Sequence, residues 1–129
     1  MGNMRCSHHQ GREKSLHVIE KTAKKFGLAM EVTDPGFESR LTDYQGRAFR
    51  LVEEAVMQTI PNVDGCAPYI MTGASDARFF DRVSDQCIRF LPFTIRREQM
   101  DSIHGVNEYL DLSTLAPAVA FYRYMMQHV

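Results

Sequence analysis

The 129-residue sequence has no tryptophan, only three cysteines and almost no net charge. Cys6, Cys66 and Cys87 are widely spaced, so no CxxC pair indicates a structural zinc or redox site, and we expect free thiols. A formal net charge of −1 gives no reason to expect nucleic acid as a partner. No apolar run approaches the roughly 18–20 residues that span a bilayer, so we expect no membrane partner either.

The opening residues, MGNMRCSHHQGREK, lack the apolar stretch of a secretory signal. Together with the free thiols, this absence leads us to expect a cytoplasmic location. What the sequence does contain is typical of a globular protein, with 44% hydrophobic and 24% charged residues. A chain of this length is long enough for one modest domain, or one domain and part of another.

Apolar residues at helical spacing predict three main helices. The first runs over residues 15–26 and is followed by Gly27, which suits the left-handed end of a helix. The second runs over residues 45–60, and the last starts near Ser113. A further short helix is expected at residues 77–80, capped by Ser75 or Asp76.

Three short apolar segments predict strands, at residues 28–32, 67–71 and 87–91. Strands that alternate with helices favour an α/β fold with a mainly parallel sheet and flanking helices. In such sheets ligands collect beyond the carboxyl ends of the strands. Two loops lie at such ends, the Gly73 loop and the long loop predicted for residues 92–112, which contains His104.

The sequence of the second loop, SIHGVNEYL, suggests metal chemistry but does not settle it. His104 is either a zinc ligand or an ordinary solvated histidine, and Gly105 beside it permits a close backbone approach or a positive φ. Glu108 either accepts a hydrogen bond that orients the loop or the ring, or is a solvated charge. A catalytic zinc takes about three protein ligands, so His104 cannot hold one alone.

The first loop, TGASD at residues 72–76, resembles an anion-binding turn with Arg78 nearby to pair a carboxylate. It is equally well explained as a turn between a strand and a helix. The adjacent Glu53 and Glu54 suggest acid–base chemistry, but their place inside the second helix favours a solvated helical face.

Several stretches in a fixed order resemble a known family. TGASDARFF, IRFLPF and SIHGVNEYL, followed by VAFYRYM, are similar to the C-terminal part of the zinc-dependent carboxypeptidase and aminoacylase superfamily of metallohydrolases. The similarity points to the branch that contains carboxypeptidase S and the N-acyl-amino-acid hydrolases. It covers residues 37–129.

The resemblance implies a di-zinc α/β catalytic domain that is interrupted by a smaller α+β lid, which often dimerises. Residues 1–14 are then an irregular N-terminus and residues 15–36 the last αβ unit of the lid. Residues 37–129 form the closing segment of the catalytic domain.

The resemblance also implies roles for individual residues. His104 corresponds to a zinc ligand and Glu108 to a residue that supports its loop. The loop that lines the substrate pocket corresponds to Gly73, Ala74 and Ser75, with Arg78 behind it. The family's remaining zinc ligands and its glutamate base belong to an N-terminal half with no counterpart here, so the chain carries at most part of a two-zinc site.

We therefore expect a fragment of a zinc-dependent hydrolase that cleaves amide bonds in peptides or N-acyl amino acids, inactive by itself. The alternative is a non-catalytic α/β module for interaction or oligomerisation. Expected partners are the substrate and either further copies of the chain or a complementing N-terminal half.

Overall fold

The computed structural model describes residues 2–6, 9–36, 40–70, 73 and 75–129. Within these ranges the regular structure is entirely helical. Its elements are α1 (Arg12–Lys25), α2 (Arg47–Thr59), α3 (Ala77–Phe80), α4 (Arg97–Ser102), a 3₁₀ turn (Leu112–Thr114) and α5 (Leu115–His128). None of these described helices combines the length and the apolar character that a membrane span requires.

The chain divides into two compact units. The first comprises residues 1–41 and 71–85 and contains α1 and α3. The second comprises residues 42–70 and 86–129 and contains the other helices. The division predicted from the sequence, at residues 15 and 37, stays a prediction.

Helix α1 confirms the predicted first helix and begins slightly earlier. Glu13 lies in its first turn and Lys24 and Lys25 in its last, which complements the helix dipole. Lys24 also forms an i,i+4 ion pair with Glu20 at 2.9 Å. None of the residues of α1 is buried.

The end of α1 explains why no strand follows it directly. Gly27 has the predicted left-handed conformation, with φ of 67°. Its N–H donates to the Lys24 carbonyl at 3.1 Å, and the Leu28 N–H donates to the Ala23 carbonyl at 3.0 Å. These two bonds make a Schellman motif. The Leu28 amide is thereby used by the helix cap and is not free to begin a sheet.

Helix α2 confirms the prediction for residues 45–60. Its N-terminus is held by the Gln86 side chain, whose Oε1 accepts the Ala48 N–H at 2.9 Å. Ala55 and Val56 are buried on its inner face. The helix ends before Pro61, as expected for a residue that precedes proline.

Helices α2 and α5 pack against each other and form the core of the second unit. The predicted last helix is confirmed: the 3₁₀ turn leads into α5, with Pro117 in its first turn. The buried hydrophobic residues are Ala55, Val56, Ala118 and Phe121. The Phe90 ring lies 5.2 Å from the Phe121 ring between centroids, so it borders this core although Phe90 itself is 45% exposed.

The predicted sheet is not confirmed, because the described residues contain no strand. The segments at 28–32, 67–70 and 87–91 are irregular, and Met71 lies outside the described residues. Tyr69 and Ile70 are exposed, although a buried strand was expected there. The Cys87 carbonyl accepts the Thr42 hydroxyl at 2.9 Å and the Arg89 guanidinium at 3.3 Å. A strand requires a paired neighbour, and these segments do not pair with one another.

One prediction is wrong: residues 92–112 are not a continuous loop, because α4 lies within them. The Arg96 N–H donates to Gln99 Oε1 at 2.9 Å, which satisfies the helix start. Arg97 and Asp101 add an ion pair at 3.1 Å. With only six residues, α4 is too short for apolar periodicity to reveal it.

Candidate functional site

His104 lies in a tight turn immediately after α4. Ile103 has φ of −56° and ψ of 128°, and His104 has φ of 63°. The Gly105 N–H donates to the Ser102 carbonyl at 2.8 Å. This geometry is a type II β-turn with His104 at its third position, where glycine is preferred. A left-handed residue that carries a side chain costs about 1 kcal/mol or more. The turn therefore holds the histidine in a conformation that local energetics disfavour.

The residues around His104 stabilise this conformation. Glu108 Oε2 accepts the His104 backbone N–H at 3.1 Å, so the carboxylate orients the loop and not the ring. A Cβ at Gly105 would lie 3.0 Å from the Ser102 carbonyl oxygen. Of the two roles considered for Gly105, close approach is correct, and the positive φ belongs to His104 itself.

The turn lies within residues 96–111, and the two ends of this segment are joined to each other. Arg96 Nη2 and Asp111 Oδ2 form an ion pair at 2.9 Å across its base. The Asp111 carbonyl also accepts the Thr114 hydroxyl at 2.7 Å, and Thr114 is buried where the segment meets α5. The loop around His104 is thus fixed at its base although its tip is exposed.

The His104 imidazole is exposed, and no hydrogen bond joins it to any residue that the structure describes. The described residues contain no group of three His, Cys, Asp or Glu side chains that could hold a metal ion. The chain therefore offers one exposed nitrogen ligand at this turn and not a complete donor set. A zinc ion bound there would need its other ligands from outside the described residues.

The predicted substrate loop belongs to the first unit, whereas His104 and Glu108 belong to the second. Ala74 lies outside the described residues. Gly73 is exposed, and Ser75 is half-buried. The Ser75 Oγ is fully buried and has no hydrogen-bond partner among the described residues. Leaving a buried hydroxyl without a hydrogen bond costs free energy of folding. This hydroxyl therefore distinguishes the loop from an ordinary turn.

Arg78 lies in α3, where the short helix was predicted. Its backbone N–H donates to the Ser75 carbonyl at 3.2 Å, which links the loop to the helix. The guanidinium lies over the Phe79 ring, 4.8 Å from its centroid. The predicted side-chain cap is not observed, because Asp76 at the N-cap has helical angles and makes no capping bond.

The sequence did not reveal a polar cluster of Glu54 on α2 with Tyr124 and His128 on α5. The Tyr124 hydroxyl donates to Glu54 Oε1 at 2.7 Å. The Tyr124 ring stacks on the His128 ring with 3.9 Å between centroids. Glu54 is exposed, as expected for a solvated helical face, and its carboxylate also links the two helices. The only signal in the sequence was the i,i+4 spacing of Tyr124 and His128, which does not identify a partner on another helix.

This cluster predicts a pH dependence of stability. The hydrogen bond to Glu54, followed by burial, raises the pKa of Tyr124. A phenol whose pKa is raised by folding stabilises the fold below its unfolded pKa of about 10, and this contribution is lost as pH rises through the folded value. In urea unfolding, wild type is expected to exceed Tyr124→Phe in stability at about pH 8, and this difference is expected to shrink as the pH rises above the ordinary tyrosine pKa of about 10. Tyr69→Phe, at an exposed tyrosine, is the control, and an advantage for Tyr124 that persists at high pH would contradict the prediction.

Comparison with known proteins gives a consistent result. Residues 9–128 match the model of peptidase family M20/M25/M40. The human N-fatty-acyl-amino acid synthase/hydrolase is 30% identical over 87 residues, which are 67% of this chain and 17% of that protein. The probable carboxypeptidase S-like 2 of Dictyostelium discoideum is 24% identical over 111 residues, 86% of this chain and 21% of that protein. The chain spans about a fifth of the length of these relatives. No solved structure matches it.

Proposed function

Because the chain belongs to peptidase family M20/M25/M40, whose members are hydrolases of the peptidase type, we propose that it contributes to amide-bond hydrolysis. The proposed substrates are peptides or N-acyl amino acids, in keeping with the names of the relatives. The family fold is an α/β peptidase fold, and we propose that the segments predicted as strands join a sheet whose other strands lie outside this chain.

The proposed metal is zinc, with His104 as one of its ligands. The observation that supports this role is the turn, which holds an exposed imidazole in a conformation that only a surrounding constraint maintains. Glu108 keeps the backbone of His104 in place. Water activation and polarisation of the scissile carbonyl are what a zinc ion supplies in hydrolases. Since the described residues offer His104 and no complete group of metal ligands, we propose that the chain is inactive alone and completes a site whose other donors lie elsewhere.

The proposed contribution to substrate binding comes from Gly73, Ala74, Ser75 and Arg78. The Ser75 hydroxyl has no hydrogen-bond partner among the described residues, and we propose that a substrate group supplies one. Arg78 carries the guanidinium that is suited to a carboxylate. The backbone bond between these two residues keeps them adjacent in the first unit.

A zinc titration by calorimetry tests the proposal of a partial site. The purified chain, free of any histidine tag, is expected to show no stoichiometric binding. Its affinity for zinc should lie far below that of structural zinc sites, whose apparent binding free energies reach about 10–16 kcal/mol. His104→Asn should behave like wild type within error, because one imidazole alone binds weakly.

Tight binding at one zinc per chain that His104→Asn abolishes would contradict the proposal. It would mean that the chain, or a second copy of it, supplies the remaining ligands. In that case the isolated chain would have to be assayed as an enzyme in its own right.

The second candidate is a non-catalytic module that works through protein contacts. The observation that favours it is the amount of exposed apolar surface. Only four hydrophobic residues are buried among those described, whereas large apolar side chains in both units are exposed. Hydrolysis of N-acyl amino acids by the isolated chain would exclude this candidate.

A further inference from the structure

Asp64 and Gly65 form the only Asp–Gly pair in the sequence. They lie in the irregular stretch of residues 63–70 that follows α2, and both residues are exposed. The backbone nitrogen that follows an aspartate lies within reach of the side-chain carboxyl of that aspartate. Whether the two groups react depends on how freely the nitrogen and the carboxyl can approach each other.

The backbone nitrogen of Gly65 is not held by the fold. Its N–H donates no hydrogen bond to any residue that the structure describes. A backbone N–H that is bonded in regular structure, by contrast, is fixed in direction. A Cβ built at Gly65 would meet nothing within 4 Å, so the space around this residue is open. Because glycine has no Cβ of its own, no side chain shields its nitrogen from the carboxyl group.

The Asp64 carboxyl is equally accessible. None of the hydrogen bonds and ion pairs among the described residues involves it. The carboxyl of Asp34, in contrast, accepts a backbone N–H at 2.8 Å and precedes a proline, which has no N–H. Asp101 is paired with Arg97 at 3.1 Å, and the nitrogen of Ser102 after it belongs to α4. Of these three aspartates, only Asp64 combines an unpaired carboxyl with an unpaired nitrogen.

From these observations we propose that Asp64 and Gly65 are a site of spontaneous main-chain isomerisation, at which aspartate is converted to isoaspartate. The Gly65 nitrogen attacks Asp64 Cγ of the protonated carboxyl, and a C–N bond forms. The carboxyl hydroxyl leaves as water with the amide proton, and the product is a succinimide ring.

Hydrolysis of the ring completes the isomerisation. Water that adds at Cγ breaks the new C–N bond and restores aspartate. Water that adds at the main-chain carbonyl carbon of Asp64 breaks the original peptide bond instead, so that the chain continues through Cγ. Each cycle releases one water and takes one up, and it requires no oxidant, reductant or further reactant.

Isomerisation would change the spacing of two contacts with the core of the second unit. The main chain becomes longer by one carbon between Val63 and Cys66, and both of these residues pack against the buried cluster of α2 and α5. The mass of the chain stays the same, and one carboxylate is still present at residue 64. The reaction involves neither the metal nor the substrate, so the inference holds or fails independently of the proposed hydrolase role.

Incubation of the full, untagged chain at neutral pH and body temperature, followed by digestion with trypsin, tests this site. The tryptic peptide of residues 51–78 contains the pair. We expect this peptide to divide with time into chromatographic forms of identical mass, and electron-transfer fragmentation to place isoaspartate at residue 64. A minor form that is lighter by one water is the succinimide. The peptide that contains Asp101 and Ser102 should remain a single species.

Gly65→Ala is the matched variant, because the open space and a φ outside the left-handed region accommodate the added methyl group. Its Cβ crowds the attacking nitrogen, so we expect isomerisation to slow several-fold. Asp64→Glu keeps the charge but would have to close a larger ring, so the isomerised form should be lost. Circular dichroism verifies that both variants keep the helix content of wild type.

A peptide of residues 51–78 that stays a single species throughout the incubation would overturn the proposal. The same peptide incubated after digestion then shows whether the fold is what keeps Asp64 and Gly65 from reacting. Isoaspartate that forms as fast in Gly65→Ala as in wild type, or as fast at Asp101 as at Asp64, would overturn the proposal as well.

Discussion

Phe121→Ala is expected to destabilise the second unit by about 3–5 kcal/mol, the range for truncating a buried phenylalanine. Phe121 is only 4% exposed and lies in the cluster with Ala55 and Val56. Its ring also contacts Phe90, so the truncation removes the contact between α5 and the segment that precedes α4. Since whole domains are stable by about 5–15 kcal/mol, the loss is comparable with the total.

Urea unfolding followed by circular dichroism measures this effect, with the slope of the transition as a check on two-state behaviour. Met57→Ala is the control, because Met57 lies on α2 but is 45% exposed. We expect it to cost no more than about 1 kcal/mol. Equal losses for Phe121→Ala and Met57→Ala would show that the α2–α5 contact is not the core of the unit.

His104→Asn is expected to lower hydrolytic activity at least about a hundredfold in a complete enzyme, since changing even the residues that support metal ligands costs 10–100-fold. The complete enzyme for this test is a chimera in which the matching stretch of 87 residues replaces its counterpart in the human relative. Asparagine tolerates a positive φ, so the substitution keeps the turn and removes the imidazole.

Hydrolysis of N-acyl amino acids and zinc content are measured on the same preparations, so the zinc content gives a result even if the chimera turns over slowly. Val106→Ala is the control in the same loop, at a side chain that is 90% exposed, and should change activity less than about twofold. Retention of both zinc and activity in His104→Asn would show that His104 is not a ligand.

The helices were predictable because their signals are local. The apolar spacing in α2 and Gly27 after α1 can each be recognised from neighbouring residues alone. The strands were not confirmed because a strand depends on a partner, and residues 67–70 and 87–91 have none in the described chain. Helix α4 was missed because its six residues are too few for apolar periodicity to reveal a helix.

The candidate site was also predictable only in part, because some of its contacts join residues that are distant in the sequence. The sequence left Glu108 either as a support of the loop or ring or as a solvated charge, and the family resemblance implied the support; the structure shows a hydrogen bond from the His104 backbone amide. The sequence did not indicate that His104 itself has a positive φ. A positive φ would be expected at Gly105, because glycine adopts one most easily. The contact between Glu54 and Tyr124 joins residues on different helices, so no local pattern could reveal it.

The pairing of α2 with α5 has a consequence for the rate of folding. These two helices contact each other, while residues 60–114 lie between them in the sequence. The entropy of closing so long a loop opposes the first contact between Val56 and Phe121. Contact order is therefore high for a helical protein, and the second unit is expected to fold more slowly than a hairpin of adjacent helices.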